Sequence, residues 1–277
     1  MATGDGDFAT VAEVRRISGI AATEISDVDV GYMIVDAEAA IPRFFNTVFT
    51  PTEVIQVHDG DGSARLLLDH NPLLSVRELK VDGDDEDVAE LEVYKDSGYI
   101  FLGEGSTTSK FLNKRNSIVV KYIYGTVEHS STSSTTSGDE VAGTNVSIAL
   151  ASITGFADED WVEIVGMDGN REVAQINAEP SAGVIVVDKL VLDHEAGSTV
   201  VKLSVSQNFI KLMNISCAIA CVARIIGQSY TDIVGYTLAE LHVQKGEPYT
   251  QWRETANQLI RERNELMSRI SIRPRVV

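Results

Sequence analysis

The stretch Asp27–Phe49 constrains the fold more than any other part of the chain. Its apolar residues fall at Val30, Ile34, Ala37, Ile41, Phe44 with Phe45, and Val48, the three-and-four spacing of one helix face. Ser26 precedes it as an N-cap, and Asp27 and Asp29 occupy the first turn, where the positive end of the helix dipole favours acidic groups. A stripe this broad must be covered, and the β-rich chain that follows, strands 54–124, together with the helix from Ser206, is the expected cover. Pro42 lacks an amide donor and crowds the preceding turn, so a kink is expected there, because the apolar spacing crosses it without a phase slip.

The neighbouring segments follow from the same reading. Residues 1–8 form a Gly/Asp arm; if it is ordered, something must hold it, and a neighbouring copy is the expected holder. Thr10–Ser18 reads as a short helix with Val11, Val14 and Ile17 inward, stopped near Gly19, so two helices form an αα-hairpin. From Thr50 the period switches to alternation. A strand, the Asp59-Gly60-Asp61-Gly62 turn and a second strand read as a hairpin. Further strands are expected at 76–81, ending in an Asp82-Gly83 turn, at 90–94, at 98–102, and at 117–124, which is rich in β-branched and aromatic residues.

Residues 130–138, almost all Ser and Thr, have no apolar anchor and read as a linker. Strands are expected beyond it at 145–151, 161–167, 171–178, 184–188 and 199–205, the pattern of a small β-barrel or sandwich. The helical period returns at Ser206 with Phe209, Ile210, Met213, Cys217, Ala220, Cys221 and Arg224, and Gly227 is its expected stop. A strand-like stretch at 236–243 follows. A last helix opens at Pro248, with a stripe through Tyr249, Trp252, Ala256, Leu259, Ile260, Arg263, Met267 and Ile270.

Charge excludes more than motif does. The chain holds 41 acidic and 23 basic residues, a net charge of −18. A surface this acidic offers no broad cationic footprint for nucleic acid, since neutralising phosphates takes Lys and Arg. Concentrated salt screens such repulsion within a few ångström, so an acidic protein of ordinary habitat and one adapted to high salt both fit the composition. The last 27 residues run against this trend, with arginines at 253, 261, 263, 269, 273 and 275 against glutamates at 254, 262 and 265. A basic end on an acidic body is expected to dock on something acidic.

Catalytic signatures are missing. Counted from Asp59, an EF-hand would need Gly at position 6 and Glu at position 12; Ala64 and His70 stand there. Histidines 58, 70, 129, 194 and 242 have no metal spacing, and there is no phosphate-binding loop or nucleophile elbow. Cys217 and Cys221, four apart in the apolar helix, read as core residues. Uninterrupted apolar runs fall short of a bilayer span, Phe209–Ile226 being broken by Lys211, Asn214, Ser216 and Arg224. The start of the chain has no signal-peptide pattern. No enzyme activity, metal, cofactor or membrane partner is therefore expected.

Three stretches carry a resemblance: Val14-Arg15-Arg16-Ile17-Ser18-Gly19-Ile20; residues 25–41; and residues 54–83, where a strand, the Asp59-Gly60-Asp61-Gly62 turn, a strand and Pro72-Leu73-Leu74-Ser75-Val76 lead to Val81-Asp82-Gly83. With the helix at Ser206–Gly227, the chain resembles the head–tail connector (adaptor) family of tailed double-stranded DNA viruses. The resemblance implies an α+β fold. Its discontinuous connector core, residues 1–129 and 204–277, would combine an αα-hairpin, a β segment, an apolar helix and a C-terminal amphipathic helix. Residues 139–203 would be an inserted small all-β barrel or sandwich. It also implies a homo-oligomeric ring, usually twelve-fold, in the virion neck, bound to a portal protein and to a tail or stopper-type neck protein. Genome DNA would pass through without sequence-specific binding. Trp252, Arg253, Arg261, Arg263, Arg269, Arg273 and Arg275 are the residues expected at the portal or the neighbouring subunit. Another virion interaction protein, a tail-completion subunit or a carrier of a binding β-module, is the alternative. With the acidity, the resemblance points to a virus of a salt-loving archaeal host.

High-salt adaptation has a direct test. On dilution from molar KCl into low salt, circular dichroism should show unfolding; a thermal midpoint unchanged without salt would contradict it.

Overall fold

A computed structural model describes residues 5–45, 47–103, 110–231 and 247–269. Among these residues the chain is mixed α and β, with four α-helices and three antiparallel sheets. It forms two compact units, Met1–Asn46 with Ser206–Val277, and Thr47–Val205. This division differs from the expected one, since the strands on both sides of the Ser/Thr stretch share one unit.

The helical unit begins with α1 (Val11–Ser18). Thr10 Oγ1 accepts from Glu13 N at its start, and Gly19, at a left-handed φ of 72°, ends it. Helix α2 (Asp27–Phe45) is capped by Ser26, whose Oγ accepts from Asp29 N, and it runs through Pro42 as one helix. An Arg15–Asp27 ion pair ties the hairpin, and Arg15 Nη2 also donates to the Ile25 carbonyl at 2.8 Å. The two later helices are α3 (Gln207–Thr231) and α4 (Glu247–Arg269).

The inner face of α2 packs on the helix from Ser206, as expected, and on α1, while strands 54–124, also expected as cover, belong to the other unit. The buried Val30, Gly31 and Ile34 of α2 belong to a helix packed on α3 and α1. Cys221 Sγ lies 3.3 Å from Met33 Sδ, and Arg224 pairs with Asp29 at 3.0 Å. Helix α3 continues past Gly227, which is not its stop; one mid-helix glycine costs only about 1 kcal/mol. Residues Gln207–Ile226 are long and apolar enough to cross a membrane by length and composition. Here Phe209, Leu212, Met213, Ile215, Cys217 and Cys221 are buried.

The described part of the N-terminal arm is held by its own chain. The Glu38 carboxylate accepts from the backbone N–H groups of Asp7, Phe8 and Ala9, and Phe8 packs edge-on against Phe209 at 5.3 Å. A neighbouring copy is not needed to order residues 5–9. The stretch 236–243 and the tail after Arg269 lie outside the described residues.

The β unit has three sheets. Strands β1 (Thr52–His58), β2 (Arg65–Leu67), β3 (Leu73–Val81), β4 (Asp84–Glu86), β5 (Leu91–Tyr94), β6 (Tyr99–Leu102) and β7 (Ile118–Tyr124) form two of them, in the orders β1-β7-β3-β4 and β2-β6-β5. The segment with the strongest β composition, β7, lies between β1 and β3. The expected hairpin around Asp59-Gly60-Asp61-Gly62 does not form: β1 pairs with β7, and β2 with β6. The turn instead docks on residues 112–117. Asp59 accepts from Asn116 N, Gly60 N donates to the Lys114 carbonyl, and a Cβ at Gly60 would overlap the Leu112 carbonyl oxygen. Asp82-Gly83 does make the tight β3–β4 turn, with φ of 57° and 98°.

The third sheet runs β8-β13-β10-β11-β12-β9, from β8 (Glu128–Thr135), β9 (Gly143–Ala149), β10 (Trp161–Val165), β11 (Arg171–Ser181), β12 (Val184–Leu190) and β13 (Thr199–Ser204). The expected linker is therefore largely strand β8. Its backbone ladder to β13 supplies what its hydroxyl side chains cannot, and Ser130, Thr132 and Ser134 alternate inward. The sheet is not a closed barrel. Strand β11 pairs with β10 over Arg171–Gln175 and with β12 from Ile176 on, bending through two register shifts. The edge strands end at one bridge, Thr136 to Leu150. Ile148, Val162, Ile164, Ile176, Ile185 and Val200 fill the fold of the bend.

Arg77 joins β3 to β12. Its side chain is fully buried; Nη1 donates to the Lys189 carbonyl at 2.5 Å, Nη2 reaches both Asp188 oxygens at 3.0 and 3.1 Å, and Lys189 Nζ returns a bond to the Arg77 carbonyl. Removing Asp188 leaves a buried guanidinium without its counter-charge. Asp188→Ala should cost about 3–5 kcal/mol in chemical denaturation, and Arg77→Met, which removes the charge and keeps the bulk, should cost less. Equal costs would contradict this account of the clamp.

Candidate partner interface

Helix α4 holds five of the seven residues expected at a partner, and Arg273 and Arg275 lie outside the described residues. The helix packs on α3 through buried Leu259 and Leu266, and Glu262 pairs with Lys211 at 2.5 Å. Trp252 is half-buried. Arg253, Arg261 and Arg269 are exposed. Arg253 and Arg269 make no hydrogen bond or ion pair among the described residues, and Arg261 makes only a long bond, 3.4 Å, to the Asn257 carbonyl.

These three arginines do not form one flat patch. A spacing of eight residues advances about 80° round a helix and about 12 Å along it. Arg253, Arg261 and Arg269 therefore wind along α4 over roughly 24 Å, with exposed Glu254 and Glu265 among them.

Arg263 is set apart from them. It lines a cleft of about 390 Å³ among α2, α3 and α4, beside Ala37, Ile41, Phe44, Leu212 and Met267. Its Nε is buried without a partner, and Nη2 has only a 3.4 Å bond to Asn264 Oδ1. The sequence reading placed Phe44 on the covered face, yet Phe44 is 70% exposed at this cleft. The signal in the sequence was that α2 is apolar on more than one side, with Val28, Tyr32 and Val35 outside the expected stripe. A larger groove, about 700 Å³, lies among α1, α3 and α4 and is lined mainly by polar groups, including Glu13, Arg16, Asn214 and Gln258.

The described histidines belong to hydrogen-bond networks of the β unit. Glu172 is buried and accepts from Val191 N, Leu192 N and His194 Nε2, the last at 2.7 Å; this pair is sealed from solvent. Glu163 bridges His129 Nε2 at 2.6 Å and Lys95 Nζ at 3.5 Å; burial pulls the Lys95 ammonium pKa down, against the opposing pull of Glu163. Gln56 Oε1 accepts from His58 Nε2 and from the Tyr122 hydroxyl, while Gln56 Nε2 meets His70 Nδ1 at 3.1 Å. Among the described residues, no group of three or more His, Cys, Asp or Glu is arranged to hold a metal ion. Burial raises both thiols, Cys217 to about 12, which leaves them protonated and unreactive at neutral pH.

One network fixes a pH dependence. Burial lowers the His58 pKa, with Asp69 and Asp59 opposing. A folded pKa below the unfolded value near 6.5 means that the unfolded chain takes up this proton first. The stabilising contribution is present above that value and is lost as pH falls through it toward the folded pKa. The unfolding midpoint should thus drop as pH falls below about 6.5, and His58→Gln should flatten that slope; an unchanged slope would contradict it.

No protein-family model matches the chain, and a search of curated proteins finds no match.

Proposed function

We propose that the chain is a head–tail connector subunit of a tailed double-stranded DNA virus. Copies would form a ring in the virion neck, join the portal to the next tail component and leave a passage for the genome. The observation that carries the reading is the return of the chain on itself. Helices from its two ends make one unit and the strands between them make another, in the helix-pair, strands, apolar-helix, last-helix order of the family it resembles.

Charge supports the same reading. An acidic channel wall repels DNA and lets it slide, and a net charge of −18 suits a chain that would line one. Arg253 and Arg269, unpaired among the described residues, and Arg261 are then the scarce cations suited to an acidic partner surface, and half-buried Trp252 beside them is the residue type that anchors interfaces. In this reading α4 faces the portal or the adjoining subunit.

The test is a binding assay against the purified portal protein of the same virus. Reversing Arg253, Arg261 and Arg269 to Glu should weaken binding at least about tenfold, a loss of about 1.4 kcal/mol, with the helical content kept. Undiminished portal binding by the triple variant would remove α4 from the interface. No binding by the unaltered chain at any salt concentration would count against the connector reading itself.

A further inference from the structure

Among the described residues, helix α2 carries two separate apolar features that its neighbours leave open. One is a ridge of Val28, Tyr32, Val35 and Ala39, at the i, i+4, i+7, i+11 spacing of a single helix face. Val28, Tyr32 and Val35 are 48%, 68% and 62% exposed. The other is the cleft against α3 and α4, to which α2 contributes Ala37, Ala40, Ile41 and Phe44. At 100° per residue the two sets lie about 160° apart round the helix. A single docking geometry cannot bury both within one pair of ridges, but a ridge can enter a cleft on another copy.

Charge marks the same match. The cleft is apolar apart from Ser216 and Arg263, and among the described residues the Arg263 Nε is buried without a hydrogen-bond partner and its guanidinium has one long bond. Such a group costs stability until a carboxylate meets it. The ridge is bordered by Asp36, an exposed carboxylate with no hydrogen bond or ion pair among the described residues. An apolar ridge edged by a free carboxylate thus has its complement in an apolar cleft holding an under-bonded guanidinium.

We propose that the Val28–Tyr32–Val35 ridge of α2 in one copy of this chain docks into the α2–α3–α4 cleft of a second copy, with Asp36 paired to Arg263. Because ridge and cleft are different surfaces, the contact is heterologous. It repeats from copy to copy and makes a ring if the rotation closes or a filament if it does not. The inference deepens the connector reading and rests on it only for closure of the ring. Salt screens the repulsion between acidic copies, so the seat of the contact is apolar and the ion pair sets its register.

The experiment is sedimentation of the full chain in molar KCl. The unaltered protein should self-associate. Asp36→Arg and Arg263→Asp should each weaken association at least about tenfold, about 1.4 kcal/mol, and the double reversal should restore it. Cysteine pairing tests the contact when a charge variant folds poorly. Val35→Cys with Met267→Cys in one chain should oxidise to a ladder of covalent oligomers, since native Cys217 and Cys221 are buried. Three results would overturn the proposal: a monomer at all salt concentrations, association untouched by Arg263→Asp, or covalent dimers from Val35→Cys alone, which would mean ridge against ridge. If Arg263→Asp abolishes portal binding and leaves self-association intact, the cleft's occupant is the portal and the proposal fails. Self-association through this contact by a chain that never binds portal sinks the connector reading alone.

Discussion

The helical unit depends on α3. It is the common wall against which α1, α2 and α4 pack, and it meets them from about three-quarters of the way along the chain. Its polar residues are part of the same seat. Buried Asn214 accepts from Thr10 N at the α1 cap and donates back to the Ile210 carbonyl of its own helix. Arg224 reaches Asp29 in the first turn of α2, and the two thiols lie against Met33. Closing a long loop costs entropy before any contact rewards it, but only weakly more as the loop lengthens. Buried Phe209, Leu212, Met213, Ile215, Cys217 and Cys221 on α3 reward that closure, and the β unit occupies the interval between the two halves of the helical one.

Local pattern was legible wherever local physics decides. The short helix up to Ser18, the Ser26 cap, the Gly19 stop, the Asp82-Gly83 turn and all five strands expected beyond residue 139 stand within a few residues of their expected places. Pairing was not legible, because alternation says that a strand exists and not which strand it meets. The Asp59–Gly62 turn has hairpin residues, yet its two strands go to different sheets. Strand β8 was hidden for the opposite reason: Ser and Thr give no apolar signal, and β13 holds it through backbone bonds. The bend in β11 rests on register shifts that no residue type announces.

The candidate interface was half legible. An Arg-rich end on an acidic chain is visible in composition, and Arg253, Arg261 and Arg269 are indeed exposed. Composition could not separate Arg263, which differs because its position on α4 turns it toward α2 and α3. Nor could it show that Phe44 would stay open, since counting apolar residues on α2 does not say how many faces its neighbours cover. The arm was misassigned for a related reason. Glu38 looks like a solvated helix residue until three backbone N–H groups are seen to converge on it.

The proposed place of this chain in the neck of a virus particle is tested most directly by an electron cryo-microscopy reconstruction of the portal vertex of the assembled particle. The account predicts a closed ring of this chain between portal and tail, with the helical unit at the contacts between copies. Absence of the chain from the particle, or its presence only as isolated copies away from the portal vertex, would contradict it.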